Sequence, residues 1–166
     1  MSEGRCPECG AFVRGGLAGC QAIWDEISFM AFSNPAYAAM HDLAFDNYCM
    51  QHPEQYGRSA KSYAAHLTRL CCGLEYNRDP AVYSAIRQWL DGKVELEKPQ
   101  LLSERGHLNI LSVRAAQNAE EHTQLVQEWA RSVWEAYTKQ QELARDWVRA
   151  ALANYKKVST KQRQHP

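Results

Sequence analysis

Between His122 and Tyr137 the chain places Val126, Trp129 and Val133 at intervals of three or four residues, with Leu125 and Trp134 flanking the stripe. Side chains at that spacing share one face of a helix, whereas a half-buried strand needs a period of two. The same period recurs in Ile23, Trp24, Ile27, Met30 and Ala31, in Tyr63, His66, Leu67, Leu70, Cys71 and Leu74, and in Leu143, Trp147, Ala150, Ala151 and Tyr155. No β-branched run alternates with polar residues, and no segment repeats internally. These patterns predict an all-α fold: a bundle of about six helices.

Local chemistry sets the expected boundaries. The first helix covers about 20–32 and stops at Ser33-Asn34-Pro35. Asn34 caps the second, which takes Pro35 in its first turn and runs to about 51. Ser59 or Ser62 starts the third. Asp79-Pro80 opens the fourth, and Asp91-Gly92 closes it. Residues 93–106 contain Pro99 and no clean period, so they read as a surface crossing, either ordered by packing or mobile. Ser112 is the expected cap of the C-terminal half. One helix over 113–157 would exceed roughly 60 Å, too long for a domain of this size, so a break is placed at Tyr137-Thr138, where Thr138 and Gln141 have capping-box spacing. The expected organisation is a metal-binding segment over 1–20, a helical domain over 21–157, and a flexible basic tail over 158–166.

The chain of 166 residues carries 19 basic and 19 acidic side chains. That balance lacks the basic excess of a nucleic-acid binder and the charge run of an acidic tail. No stretch approaches the ~18 apolar residues of a membrane span. Met1 to Cys6 lacks a signal-peptide core, so a cytoplasmic protein is expected.

In a reducing compartment, clustered cysteines point to metal ligation before disulfides. Cys6-Pro7-Glu8-Cys9-Gly10 has the spacing that turns two thiolates into one tetrahedron, with Gly10 allowing the turn that follows. A thioredoxin-type reading needs a buried strand ahead of Cys6, and five residues are too few. Cys20 follows the pliable run Gly15-Gly16-Leu17-Ala18-Gly19, which lets it fold back as a third ligand. The fourth is expected to be a histidine. If the first two helices are antiparallel neighbours, the end of the second returns beside the start of the first, which brings His52 to Cys20. His52 therefore ranks ahead of His41, which lies about 15 Å away along the helix, and of Cys49. A thiolate-rich tetrahedron selects Zn²⁺. Adjacent Cys71 and Cys72 diverge by about 100° and read as buried small hydrophobes.

His41, His66 and His122 fall on the apolar stripes of three different helices. Each alone reads as a hydrogen-bonded core histidine, but together they would line a pocket in the bundle. Asp46 and Glu121 are possible carboxylate partners, although neither shares the face of the histidine on its own helix. His122 is expected beside His41 or His66, with a tyrosine, carboxylate or second histidine within hydrogen-bond reach of its ring, Tyr48 and Tyr63 being the nearest candidates by stripe. No HExxH, GxSxG, P-loop or GxGxxG occurs. Two functions follow: a non-catalytic zinc-stabilised module that binds a protein partner, with neither nucleic acid nor membrane as target, or a metal-dependent enzyme using the histidine pocket.

CPECGA at 6–11, the Cys20 helix start, NPAYAAMHDLAFDNYCMQHP at 34–53, AAHL at 64–67, EEHTQLVQEWARSVWEAY at 120–137 and ARDW at 144–147 together resemble an uncharacterised bacterial family known only as a domain of unknown function. The resemblance implies a zinc-knuckle-like segment on a helical domain, with Cys6, Cys9, Cys20, His41, His52, His66 and His122 at the family's recurring metal-type positions. The family pattern carries a His-His pair where this chain has Gln140-Gln141. Amides are poor ligands, so an activity resting on that pair is not expected to carry over.

Overall fold

The computed structural model describes residues 4–163, and among them every regular element is helical. The elements are α1 (Leu17–Ser33), α2 (Pro35–Ala38), α3 (His41–Gln51), α4 (Pro53–Tyr56), α5 (Ala60–Glu75), α6 (Pro80–Asp91), α7 (Ile110–Arg114), α8 (Ala119–Ala136), a 3-10 turn (Thr138–Gln140) and α9 (Gln141–Arg163). The all-α bundle is as expected. It has more pieces than six because several helices are interrupted.

Where a cap is written into adjacent residues, the structure follows it. Ser59 and Ser62 are both right, as two halves of one capping box: Ser59 Oγ accepts from Ser62 N–H at 3.0 Å, and Ser62 Oγ accepts from Ser59 N–H at 3.2 Å. Asp79 accepts from Ala81 N–H at 2.8 Å ahead of Pro80. Asn34 accepts from Ala36 N–H at 3.0 Å, with Pro35 in the first turn.

Elsewhere the expectation needs correction, in one place because a distant residue intervenes. The single helix foreseen over 34–51 breaks after Ala38. Arg78, in the loop between α5 and α6, takes the Ala39 carbonyl and reaches Met40 Sδ at 3.1 Å. A continuous helix would need that carbonyl for the amide four residues on. Ser112 does not cap the C-terminal half; it lies inside α7. Asn109 caps that helix through Leu111 N–H at 3.0 Å, and Asn118 caps α8 through Glu121 N–H at 2.9 Å. Thr138 forms no capping box, since its hydroxyl donates back to the Glu135 carbonyl. The break at Tyr137 is real and takes the form of the 3-10 turn. The expected tail 158–166 overlaps α9 as far as Arg163, and 164–166 lie outside the described residues.

Helices α3, α5 and α8 form the centre, burying Leu43, Tyr48, Tyr63, Leu67, Leu70 and Trp129. Helices α6 and α9 pack together, and α9 also packs on α5. The crossing at 93–106 is ordered by packing, through buried amides. Gln51 donates to the Arg105 and Leu108 carbonyls at 2.8 and 2.7 Å and accepts from Trp129 Nε1 at 2.9 Å. Gln140 donates to the Gln100 carbonyl at 2.9 Å and accepts from Tyr63 Oη at 2.7 Å. Ser132 Oγ accepts from the His107 and Leu108 amides at 2.8 and 2.9 Å. Gly106 lies beneath, at φ +106°, where a Cβ would come within 2.9 Å of Ser132 Oγ. These bonds satisfy the backbone polar groups that an irregular segment brings against a core.

Candidate metal centre

The N-terminal segment turns tightly before it reaches α1. Cys6 N–H donates to the Ala11 carbonyl at 2.8 Å, and Gly10 N–H donates to the Cys6 carbonyl at 2.9 Å. Gly10 supplies the left-handed backbone at φ +75°. Gly19 allows a second close approach: a Cβ there would fall 2.1 Å from the Arg14 carbonyl oxygen. Cys20 thereby sits in the first turn of α1, where the helix dipole favours a thiolate.

His52 comes from the junction of α3 and α4, which folds back beside Cys20 as the antiparallel argument requires. Its Nδ1 lies 2.7 Å from the Tyr48 carbonyl. A carbonyl only accepts, so Nδ1 carries a proton and Nε2 is the nitrogen turned towards the cysteines, where it would meet a metal. The Tyr48 ring covers the imidazole at 4.0 Å between centroids and in turn stacks on Trp24 at 5.0 Å.

Cys6 Sγ and Cys20 Sγ each lie 3.4 Å from His52 Nε2, and Cys9 Sγ lies 3.6 Å from Cys20 Sγ. All four ligand atoms fall within 4.8 Å of one another, a set that can hold a metal ion. The edges of a tetrahedron with zinc–ligand bonds of ordinary length are about 3.8 Å between sulfurs and about 3.5 Å from sulfur to nitrogen. The two sulfur–nitrogen distances and the Cys9–Cys20 sulfur distance are close to these values. Cys6, Cys20 and His52 are buried, and Cys9 is half-exposed.

The charge balance points the same way. Neighbouring Cys20 and Cys9 hold the Cys6 thiol far below its usual pKa against the effect of burial. Cys6, Cys9 and burial push Cys20 far above it. Burial would lower His52, but the Cys6 and Cys9 sulfurs outweigh it and carry its pKa up to about 9. Three thiols in one pocket cannot all ionise unaided, because like charges at this spacing drive their titrations apart. A dication removes that conflict.

Sequence reasoning missed the residues that fasten this centre to the bundle. Glu8 accepts from Glu54 N–H at 3.0 Å and from Gln55 Nε2 at 3.1 Å. Arg105, from the crossing, pairs with Glu8 at 3.5 Å and donates to the Glu8 carbonyl at 3.2 Å. Glu8 lies inside the CxxC spacer, but the spacing carries no sign of partners roughly 45 and 97 residues away.

The remaining candidates do not join a second centre. Among the described residues, the four-ligand group is the one cluster of three or more His, Cys, Asp or Glu placed to hold an ion. His41 lies at the opposite end of the α1–α3 pair, between Trp24 and Phe32, with Nε2 3.4 Å from Ser28 Oγ. His66 Nδ1 bonds Asp46 Oδ1 at 2.9 Å, and Arg69 Nε donates to Asp46 Oδ2 at 3.0 Å. Asp46 thus finds its histidine across the helix pair rather than on its own helix. It is fully buried, and burial raises its pKa against the pull of His66 and Arg69. Glu121 turns back to the Gln117 amide at 2.7 Å. His122 is 1% exposed, with neither ring nitrogen hydrogen-bonded, and meets the edge of Tyr37 at 5.1 Å. The expected bonds from Tyr48 and Tyr63 do not form, because those hydroxyls are directed to Gln21 and Gln140. Cys49, Cys71 and Cys72 are buried apart from the centre; burial pushes the Cys71 and Cys72 thiols up to about 12. Gln140 clips the crossing to the core through the Gln100 carbonyl and the Tyr63 hydroxyl.

The family of unknown function DUF5946 matches residues 4–138, and the chain belongs to it. No curated protein and no solved structure matches the chain.

Proposed function

We propose that this chain is a non-catalytic, zinc-stabilised helical module of the bacterial cytoplasm that works by binding another protein. The observation that carries the reading is the closed ligand set of Cys6, Cys9, Cys20 and His52. Structural zinc sites are coordinatively full, whereas catalytic ones keep a position for water or substrate. Thiolate-rich donors favour zinc over hard cations. All six cysteines are free thiols, which suits a reducing compartment. Among the described residues no helix is long and apolar enough to cross a membrane. Phe29 and Phe32 stand 73% and 80% exposed on one side of α1, apolar surface of the kind that protein partners cover.

Elemental analysis of the purified chain should find about one zinc per molecule, in keeping with one four-ligand site. Cobalt substitution should give the intense visible bands of a tetrahedral thiolate-rich site. Octahedral spectra, or a coordinated water that exchanges with added anions, would instead favour metal-dependent catalysis.

A further inference from the structure

The four ligands are not equally sheltered. A cleft of about 390 Å³ runs between the N-terminal turn and the crossing, lined by Cys6, Glu8, Cys9, Gly10, Arg105 and Gly106 among others. Cys9 stands half-buried at this cleft, whereas Cys6, at 1% exposure, and Cys20 and His52, both at 0%, are buried. The Cys9 and Cys20 sulfurs are 3.6 Å apart, in contact already. Between these two residues lie Gly10, Gly15, Gly16 and Gly19, three of them at positive φ. That loop can absorb the small approach a disulfide requires. The other three thiols, Cys49, Cys71 and Cys72, are buried in the bundle and kept protonated by burial, which makes them poor nucleophiles.

We propose that Cys9 is a thiol-oxidation site, at which hydrogen peroxide converts Cys9 and Cys20 to a disulfide and so discharges the metal. The Cys9 thiolate attacks the peroxide; the O–O bond breaks, Cys9 becomes a sulfenic acid and hydroxide leaves. The Cys20 thiolate then attacks the Cys9 sulfur; the S–O bond breaks, the S–S bond forms and a second hydroxide leaves. Two thiolates give up two electrons, and the peroxide is reduced to two hydroxides that take up protons as water. Cys6 and His52 are left with half a tetrahedron, too few ligands to retain the ion. A dithiol reductant reverses the step. Discharge frees the N-terminal segment, whose Ala11 and Val13 are otherwise buried against the core.

The inference rests on the zinc reading, and one experiment separates the two. The full-length holoprotein is first assayed for zinc, then treated with hydrogen peroxide while a chromogenic chelator reports release, and the cysteines are mapped by mass spectrometry. Release in step with a Cys9–Cys20 disulfide, with Cys49, Cys71 and Cys72 still reduced and the metal regained after dithiothreitol and zinc, is the expected result. Cys9→His keeps four ligands but removes the oxidisable sulfur at the cleft, and should slow release at least tenfold. Zinc that stays bound, a Cys6–Cys9 bridge, or first oxidation at Cys49, Cys71 or Cys72 overturns the inference and leaves the zinc reading standing. Absence of zinc before peroxide is added overturns the zinc reading, and the inference with it.

Discussion

His52 and His122 are both buried in this bundle, and their ring nitrogens have opposite surroundings. At His52 one nitrogen donates to the Tyr48 carbonyl and the other faces Cys6 and Cys20. At His122 neither nitrogen has a partner, and the nearest ring is the edge of Tyr37. Burial of an imidazole is unfavourable unless its polar atoms are engaged. At the end of the bundle that carries His52 both ring nitrogens are engaged, which offsets that cost, whereas at the end that carries His122 neither is. A buried histidine on an apolar stripe is therefore poor evidence of function by itself; what counts is the set of atoms that meets its two nitrogens.

The widest separation between the two ends should come from removing a ligand. Cys20→Ser is expected to take bound zinc from about one per chain to near zero and to loosen the N-terminal segment, because three ligands no longer close the site. The helical circular dichroism should survive, since α3, α5 and α8 hold their own apolar core. Global unfolding of this variant would mean that the bundle depends on the N-terminal segment, and the contrast between the two regions would fail.

A smaller effect of opposite sign is expected at the other end. His122→Leu exchanges an unpaired imidazole for an apolar side chain of similar size, and should raise stability by about 1 kcal/mol in chemical denaturation. A loss of more than about 1 kcal/mol would reveal a partner for His122 that the structure does not contain. His52→Leu should lose the metal.

The smallest effect is a slope. Burial lowers the pKa of His122 from its usual 6.5. The unfolded chain then binds a proton at this residue before the folded chain does. Its contribution to stability is complete above about pH 6.5 and is lost as pH falls from there towards the depressed folded value. Thermal melts between pH 7.5 and 5 in the presence of excess chelator, which removes the metal's own pH dependence, should show a flatter decline in His122→Leu than in the parent. Equal slopes would place the acid sensitivity elsewhere.

The helix starts legible in the sequence are set between neighbours along the chain, although the equally local caps at Asn109 and Asn118 were not singled out. Ser59 with Ser62, Asp79 with Pro80 and Asn34 with Pro35 each set a helix start within four residues, and the structure keeps all three. The gathering of Cys6, Cys9, Cys20 and His52 was legible for a related reason. Two residues separate the first pair, glycines free the loop to the third, and two adjacent helices of similar length bring back the fourth. The expectation for His52 survived even though the second helix was broken, because a break at Ala39 leaves the far end of α3 beside the start of α1.

By itself, the sequence determined a helical bundle, the helix starts at Asn34, Ser59 and Asp79, and a cysteine-rich centre near the N-terminus. These follow from the period of apolar side chains and from bonds closed within one helical turn. Only the tertiary structure decided that Arg78 would claim the Ala39 carbonyl, that Gln51, Ser132 and Gln140 would order the crossing, and that His41, His66 and His122 would stay apart. Each of those outcomes depends on partners that lie far along the chain or on the way whole helices pack. A stripe shows that a side chain faces inward, but what it meets there is set by how the helices rotate and cross when their surfaces interlock.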